Sequence, residues 1–149
     1  MSKDIPYDEL KIGDKYGPRE LPSTDKDIDR YLKEMDDFNP IYTTASPWGG
    51  PVVPAMYMGT LLGLRMIGTK YDSHATVPAR LYQKNINPAK RGKKLFLSGV
   101  LIDKYIKRGL EYAVIESVVT DKDGTEIRRT VDHFLLSLER RPETTEPKG

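Results

Sequence analysis

Cysteine is absent from all 149 residues, and histidine occurs only twice and tryptophan once. The lack of thiols excludes disulfides, thiolate nucleophiles and cysteine-built zinc sites. No apolar run approaches the roughly 18 residues that span a bilayer. The opening Met1-Ser2-Lys3-Asp4-Ile5-Pro6 has no apolar core of a signal peptide. An excess of one charge is also missing. Against 24 basic residues stand 22 acidic ones, a net charge of +2, without the basic surplus of a nucleic-acid binder. The expectation is a cytoplasmic protein that meets neither membrane nor nucleic acid.

What is present fits a globular chain, with 38% hydrophobic and 31% charged residues. Residues 1–140 read as a single domain, and the polar, proline-containing residues 141–149 as a flexible tail. A strand is expected over Lys15 to Leu21, entered by the turn Ile12-Gly13-Asp14. Ile28, Tyr31, Leu32 and Met35 recur at the spacing of one helical face, behind a Thr24 cap with Asp27 three residues on. The run from Ala55 to about Ile67 is apolar nearly all round, as a buried helix would be, and opens after Pro54. Gly59 and Gly63, four apart in it, predict close approach of the helix to a sheet. The second half reads as strands: Val77 to Ile86, Leu95 to Lys104, Glu111 to Thr120 and Glu126 to Leu138. The Asp123-Gly124 turn signal precedes the last of them. Four successive strands forming a meander, a first strand near the start and one buried helix make an α+β domain, a curled antiparallel sheet wrapped around a long central helix.

Two segments carry the candidate chemistry: Asp37-Phe38-Asn39-Pro40-Ile41-Tyr42, and Trp48-Gly49-Gly50-Pro51-Val52-Val53-Pro54-Ala55-Met56. Together they resemble the MaoC-like acyl-CoA hydratases and dehydratases, which have the hotdog fold. The catalytic members read Gly-Asp-x-Asn-Pro-Leu-His, then Phe-Gly-x-x-Val-Ala-His-Gly-Met. Asp37 stands at the catalytic aspartate, Asn39 and Pro40 match, and Tyr42 replaces the catalytic histidine. Trp48 and Gly49 match the aromatic-glycine pair, Pro54 and Ala55 replace the second His-Gly, and Met56 matches. Only five residues separate Tyr42 from Trp48, a shortened connection. The replacements are similar to those in the FAS1-like N-terminal dehydratase half of two-domain members. There the variant half helps bind acyl-CoA while its partner half carries the Asp-His pair.

The resemblance implies a coenzyme A thioester as substrate or ligand, no separate cofactor and no metal. It also implies a homodimer or a heterodimer with another hotdog chain. It assigns Asp37 to a water, the Ala55 N–H to an oxyanion, and Trp48, Gly49, Pro54, Met56 and Tyr57 to the ligand wall. Tyr42 is a poor base, since an unperturbed phenol titrates near pH 10; it is a hydrogen-bond donor, a ligand anchor or a piece of pocket wall. Asp37, Asn39 and Tyr42 are the catalytic side-chain candidates, and Asp37 and Asn39 have a second reading as turn stabilisers. The turn cations Lys90, Arg91, Lys93 and Lys94, with Arg80 and Lys84, are either solvated or meet coenzyme A phosphates. His74 and His133 are structural, or one of them is a relocated base. Three functions stay open: the acyl-thioester-binding subunit of a hydratase or dehydratase whose partner supplies the dyad; a stand-alone hydratase, dehydratase or thioesterase using Asp37; and a non-enzymatic binder of acyl ligands.

Overall fold

The computed structural model describes residues 5–59, 61–72 and 76–142. Among these residues five strands form one antiparallel sheet: β1 (Lys15–Leu21), β2 (Val77–Asn85), β3 (Leu95–Lys107), β4 (Leu110–Asp121) and β5 (Glu126–Leu135). Their spatial order is β1-β3-β4-β5-β2. β3, β4 and β5 are joined by tight turns. Arg108 and Gly109 both take positive φ at the first. At the second, the Asp121 carboxylate accepts the N–H groups of Asp123 and Thr125 at 2.9 and 3.1 Å. The expected meander therefore holds for three strands only. β2 crosses to the far edge and pairs with β5, from Val77 opposite Leu135 to Asn85 opposite Arg128. A hairpin between β2 and β3 is replaced by the segment 86–94, which turns back over residues 51–53 instead. Val53 N–H donates to Ala89, and Arg91 N–H to Pro51.

The sheet's inner face follows from alternation. Leu95, Leu97 and Leu101 of β3 and Ala113, Ile115 and Val119 of β4 are fully or almost fully buried. Against them lie α2 (Leu62–Ile67), through Leu62, Met66 and Ile67, and α1 (Asp25–Glu34), through Ile28 and Leu32. α1 begins as its sequence requires, with a reciprocal capping box between Thr24 and Asp27. It ends at Glu34, because Asp36 turns to φ 53°, and so Met35 is exposed rather than on the buried face.

The single long helix expected from Ala55 to Ile67 is broken. Ala55–Met58 is a 3-10 turn, and α2 is only six residues long. Between them Gly59 has φ 89° and ψ 170°, a conformation open to glycine and closed to helix. Of the two glycines, Gly63 alone makes the close approach. A Cβ there would stand 3.0 Å from both Ile115 and Asp132.

Among residues expected in the tail, Arg141 is held. It pairs with Asp8 at 2.6 Å and Glu111 at 3.1 Å, its backbone N–H donates to Gly109, and its guanidinium, like the Lys104 ammonium, lies against the ring of Tyr7. Residues 143–149 lie outside the described ones, as does His74.

Candidate functional site

The site is assembled by the two segments singled out in the sequence. Asp37 turns the chain after α1: its carboxylate accepts the Asn39 N–H at 3.1 Å. The Asn39 side chain in turn accepts the Ile41 N–H at 3.2 Å and caps the 3-10 turn Pro40–Tyr42. Both side chains thus serve the turn, as Asx residues do before proline. The short connection after Tyr42 is made of turns without a helix. It closes on itself through Ser46, whose hydroxyl accepts the Trp48 N–H and donates to the Gly50 carbonyl. Val52 N–H then donates to Ile41, which ties the two segments together.

Between them is a cavity of about 320 Å³, within the range of small-molecule sites. Its floor is apolar, built from Ile41, Val52, Val53, Met58, Ala89 and Ile127. Tyr42, Trp48 and Ala55 line it too, and Asn85 and Asn87, at the end of β2, supply polar groups. Trp48 is half exposed. Three of the sequence-derived candidates are therefore brought together, and the others lie elsewhere. Asp37, Asn39 and Gly49 do not line the cavity. Pro54 is buried outside the lining, and Met56 is exposed. Tyr57 donates its hydroxyl to the Pro22 carbonyl at 2.6 Å and packs edge-on against Tyr31. Arg80 and Lys84 stand on exposed β2, with the Arg80 guanidinium over the Tyr82 ring.

The basic turn is largely spent within the protein. Arg91 binds the Asp25 carboxylate at 3.0 Å, the Asp25 carbonyl at 3.0 Å, Asp29 at 2.8 Å and the Tyr42 carbonyl at 2.9 Å. Lys93 pairs with Asp123 at 2.6 Å, and Lys94 lies 4.0 Å from Glu20. His133 points to the sheet's outer face, where Nδ1 is 3.2 Å from the Tyr105 hydroxyl. Burial, then the nearby Arg80 charge, holds its imidazole below the ordinary value.

A polar row on the inner face of β5 escaped the sequence reading. Arg128, Thr130 and Asp132 are each 1% exposed and alternate with outward residues. Arg128 donates to the Ala55 carbonyl at 2.7 Å and to the Gln83 side chain. Asp132 accepts the Gly63 N–H at 2.7 Å. The two halves of the broken helix are thus each fastened to β5. Burial raises the Asp132 carboxyl above its ordinary 3.8, against the opposing pull of the Gly63 N–H and of Arg128. The folded chain then keeps a proton that the unfolded chain releases, and this group's contribution to stability falls as pH rises from about 4 through the folded value. Urea midpoints of the wild type, measured from pH 4 to 7 and referenced to Asp132→Asn, are expected to decline over that window. A difference that stays flat or rises would exclude this cause.

No family model matches the sequence, and no curated protein is recognisably similar to it. Solved structures are similar in shape. A MaoC-like dehydratase from Rhodospirillum rubrum superposes with a TM-score of 0.72 at 16% identity, over 91% of this chain and 97% of that one. The unliganded R-hydratase from Pseudomonas aeruginosa gives 0.70 at 18%, over 98% and 95%. The HadBC 3R-hydroxyacyl-ACP dehydratase complex from Mycobacterium tuberculosis gives 0.66 at 13%, over 85% and 98%. The fold is the hotdog fold. Its central helix is here the broken segment from Ala55 to Ile67. One edge of the hotdog sheet is β2, whose nine residues are all exposed and whose neighbour among the described strands is β5. Among the described residues no helix is long and apolar enough to cross a membrane.

Proposed function

We propose that this chain binds the acyl part of an acyl thioester, such as acyl-CoA, in the cavity between Tyr42, Trp48 and Ala55, and works beside a second hotdog chain that supplies the acid–base dyad. One observation carries this reading. The cavity gathers Tyr42, Trp48 and Ala55, three positions of the hydratase motif, yet its described lining contains neither a carboxylate nor an imidazole. Enoyl hydration needs a base for water and an acid for the α-carbon, and the polar side chains of the lining, Tyr42, Asn85 and Asn87, are a phenol and two amides. Asp37 is held in its turn, which argues against the stand-alone enzyme. The exposed edge β2 ends in cavity residues Asn85 to Asn87, so a chain added to that edge would adjoin the site. The HadBC complex, similar in fold, supports a two-chain arrangement.

Trp48 is the protein's one tryptophan and reports on the cavity directly. Titration with crotonyl-CoA is expected to change its fluorescence, with no hydration by the purified chain alone. Hydration should follow when the chain is recovered from its native host with its partner. Turnover by the isolated chain would overturn the subunit role. Binding without turnover in either preparation would leave the non-enzymatic binder, and no response at all would remove the acyl ligand.

A further inference from the structure

The guanidinium of Arg128 is 1% exposed and lies beneath the cavity wall. Nη1 binds the carbonyl of Ala55, a lining residue, at 2.7 Å, and Nη2 binds the Gln83 amide oxygen. Asn85 and Ile127, its cross-strand partner and its chain neighbour, also line the cavity. Both of these acceptors are neutral, and Nε has no partner among the described residues. Asp132, two pleats further along β5, spends one oxygen on Gly63 and attracts Arg128 only from a distance, with no direct hydrogen bond to it. Arg91 is the instructive contrast. It too touches the cavity wall, through the Tyr42 carbonyl, but two aspartates neutralise it.

An arginine stays protonated under all ordinary conditions. A buried cation that hydrogen-bonds only neutral acceptors and keeps one donor unmade is costly to a fold, and such groups gather where a ligand uses them. We propose that Arg128 makes this cavity select ligands that place a negative or strongly polarised oxygen, a carboxylate or a thioester carbonyl, against the Ala55 wall, and discriminate against neutral chains of the same length. Arg128 acts through the Ala55 peptide and through its field, and is a specificity-determining residue rather than a catalytic one. The inference rests on the reading of the cavity as an acyl site and names the chemistry that the site prefers.

Hexanoate and 1-hexanol share a chain length and differ in the charged end. Followed by Trp48 fluorescence, the wild type is expected to bind hexanoate about tenfold more tightly, the scale of one incompletely screened charge held near a low-dielectric pocket. Two variants remove the charge by different routes. Arg128→Gln deletes it, and Gln83→Glu neutralises it in place by giving Nη2 a carboxylate, which also keeps the fold braced. Each is expected to bring the hexanoate-to-hexanol ratio close to one, whereas Arg128→Lys keeps most of it. A wild type that responds to crotonyl-CoA but does not prefer the acid overturns the role of Arg128 alone. So does a folded Gln83→Glu that keeps the full preference. Silence towards crotonyl-CoA, hexanoate and hexanol together overturns the acyl site itself.

Discussion

Arg91→Ala is expected to destabilise the protein by about 3 kcal/mol, measured as a fall in urea midpoint at unchanged slope. Its side chain is 9% exposed, while the aspartates it pairs with are 72% and 64% exposed. Those two ion pairs therefore count only at the surface level, about 0.5 kcal/mol each. The larger share comes from the carbonyls of Tyr42 and Asp25, which lose their donors, and from the packing of the buried stem. Salt should recover little of the difference, because only the aspartate part is screened. Arg91→Lys should restore part of the stability, since an ammonium can satisfy one or two of the four acceptors but not the whole fork. A midpoint within about 0.5 kcal/mol of wild type for Arg91→Ala would show that α1 and the Tyr42 turn hold together without it.

Gly63→Ala is the second large effect, and its sign opposes helix propensity. In an open helix the exchange would add about 1 kcal/mol. Here the new Cβ would stand 3.0 Å from Ile115 Cβ and 3.0 Å from the Asp132 carboxylate. Ile115 is wholly buried in β4 and has nowhere to go. Separating helix and sheet would stretch the Gly63 N–H bond to Asp132 and loosen Leu62 and Met66. The expected net loss is about 2 kcal/mol, typical of an overfilled core. A Gly63→Ala variant as stable as the wild type would mean that α2 can lift from the sheet at no cost.

These two residues also show where sequence reasoning reached and where it stopped. Strands β3, β4 and β5 were legible because branched residues, alternation and Asp123-Gly124 agree. The first helix was legible because Thr24, Asp27, Ile28 and Leu32 speak for one element. The Ala55 to Ile67 run was different. A stretch apolar on every side has no periodic signal to mark a break, and Gly59, a packing glycine by its spacing from Gly63, is a conformational one in the fold. The far-edge position of β2 was illegible because pairing across a sheet leaves no local trace. Arg128, Thr130 and Asp132 were hidden for a sharper reason. Polar residues at every second position of a strand read as its solvent face, and here they form the inner one. The available hint was Gly63, whose missing side chain leaves room for the Asp132 carboxylate beneath the helix. In the site, Tyr42, Trp48 and Ala55 were found by motif. Arg91 was counted among the surface cations, since a basic turn does not reveal which of its members folds inward.

The strand order has a consequence for how the chain comes into being. β2 is made second and finds its partner fifth, since among the described strands β5 is the one that flanks it, and β5 must follow both β3 and β4. During synthesis the apolar residues Leu62, Met66 and Ile67 emerge before most of the strands that will cover them. The first half of the molecule therefore leaves the ribosome with little surface to fold upon. Its greatest exposure to unwanted association falls in that interval, before the last strand arrives and the sheet can close.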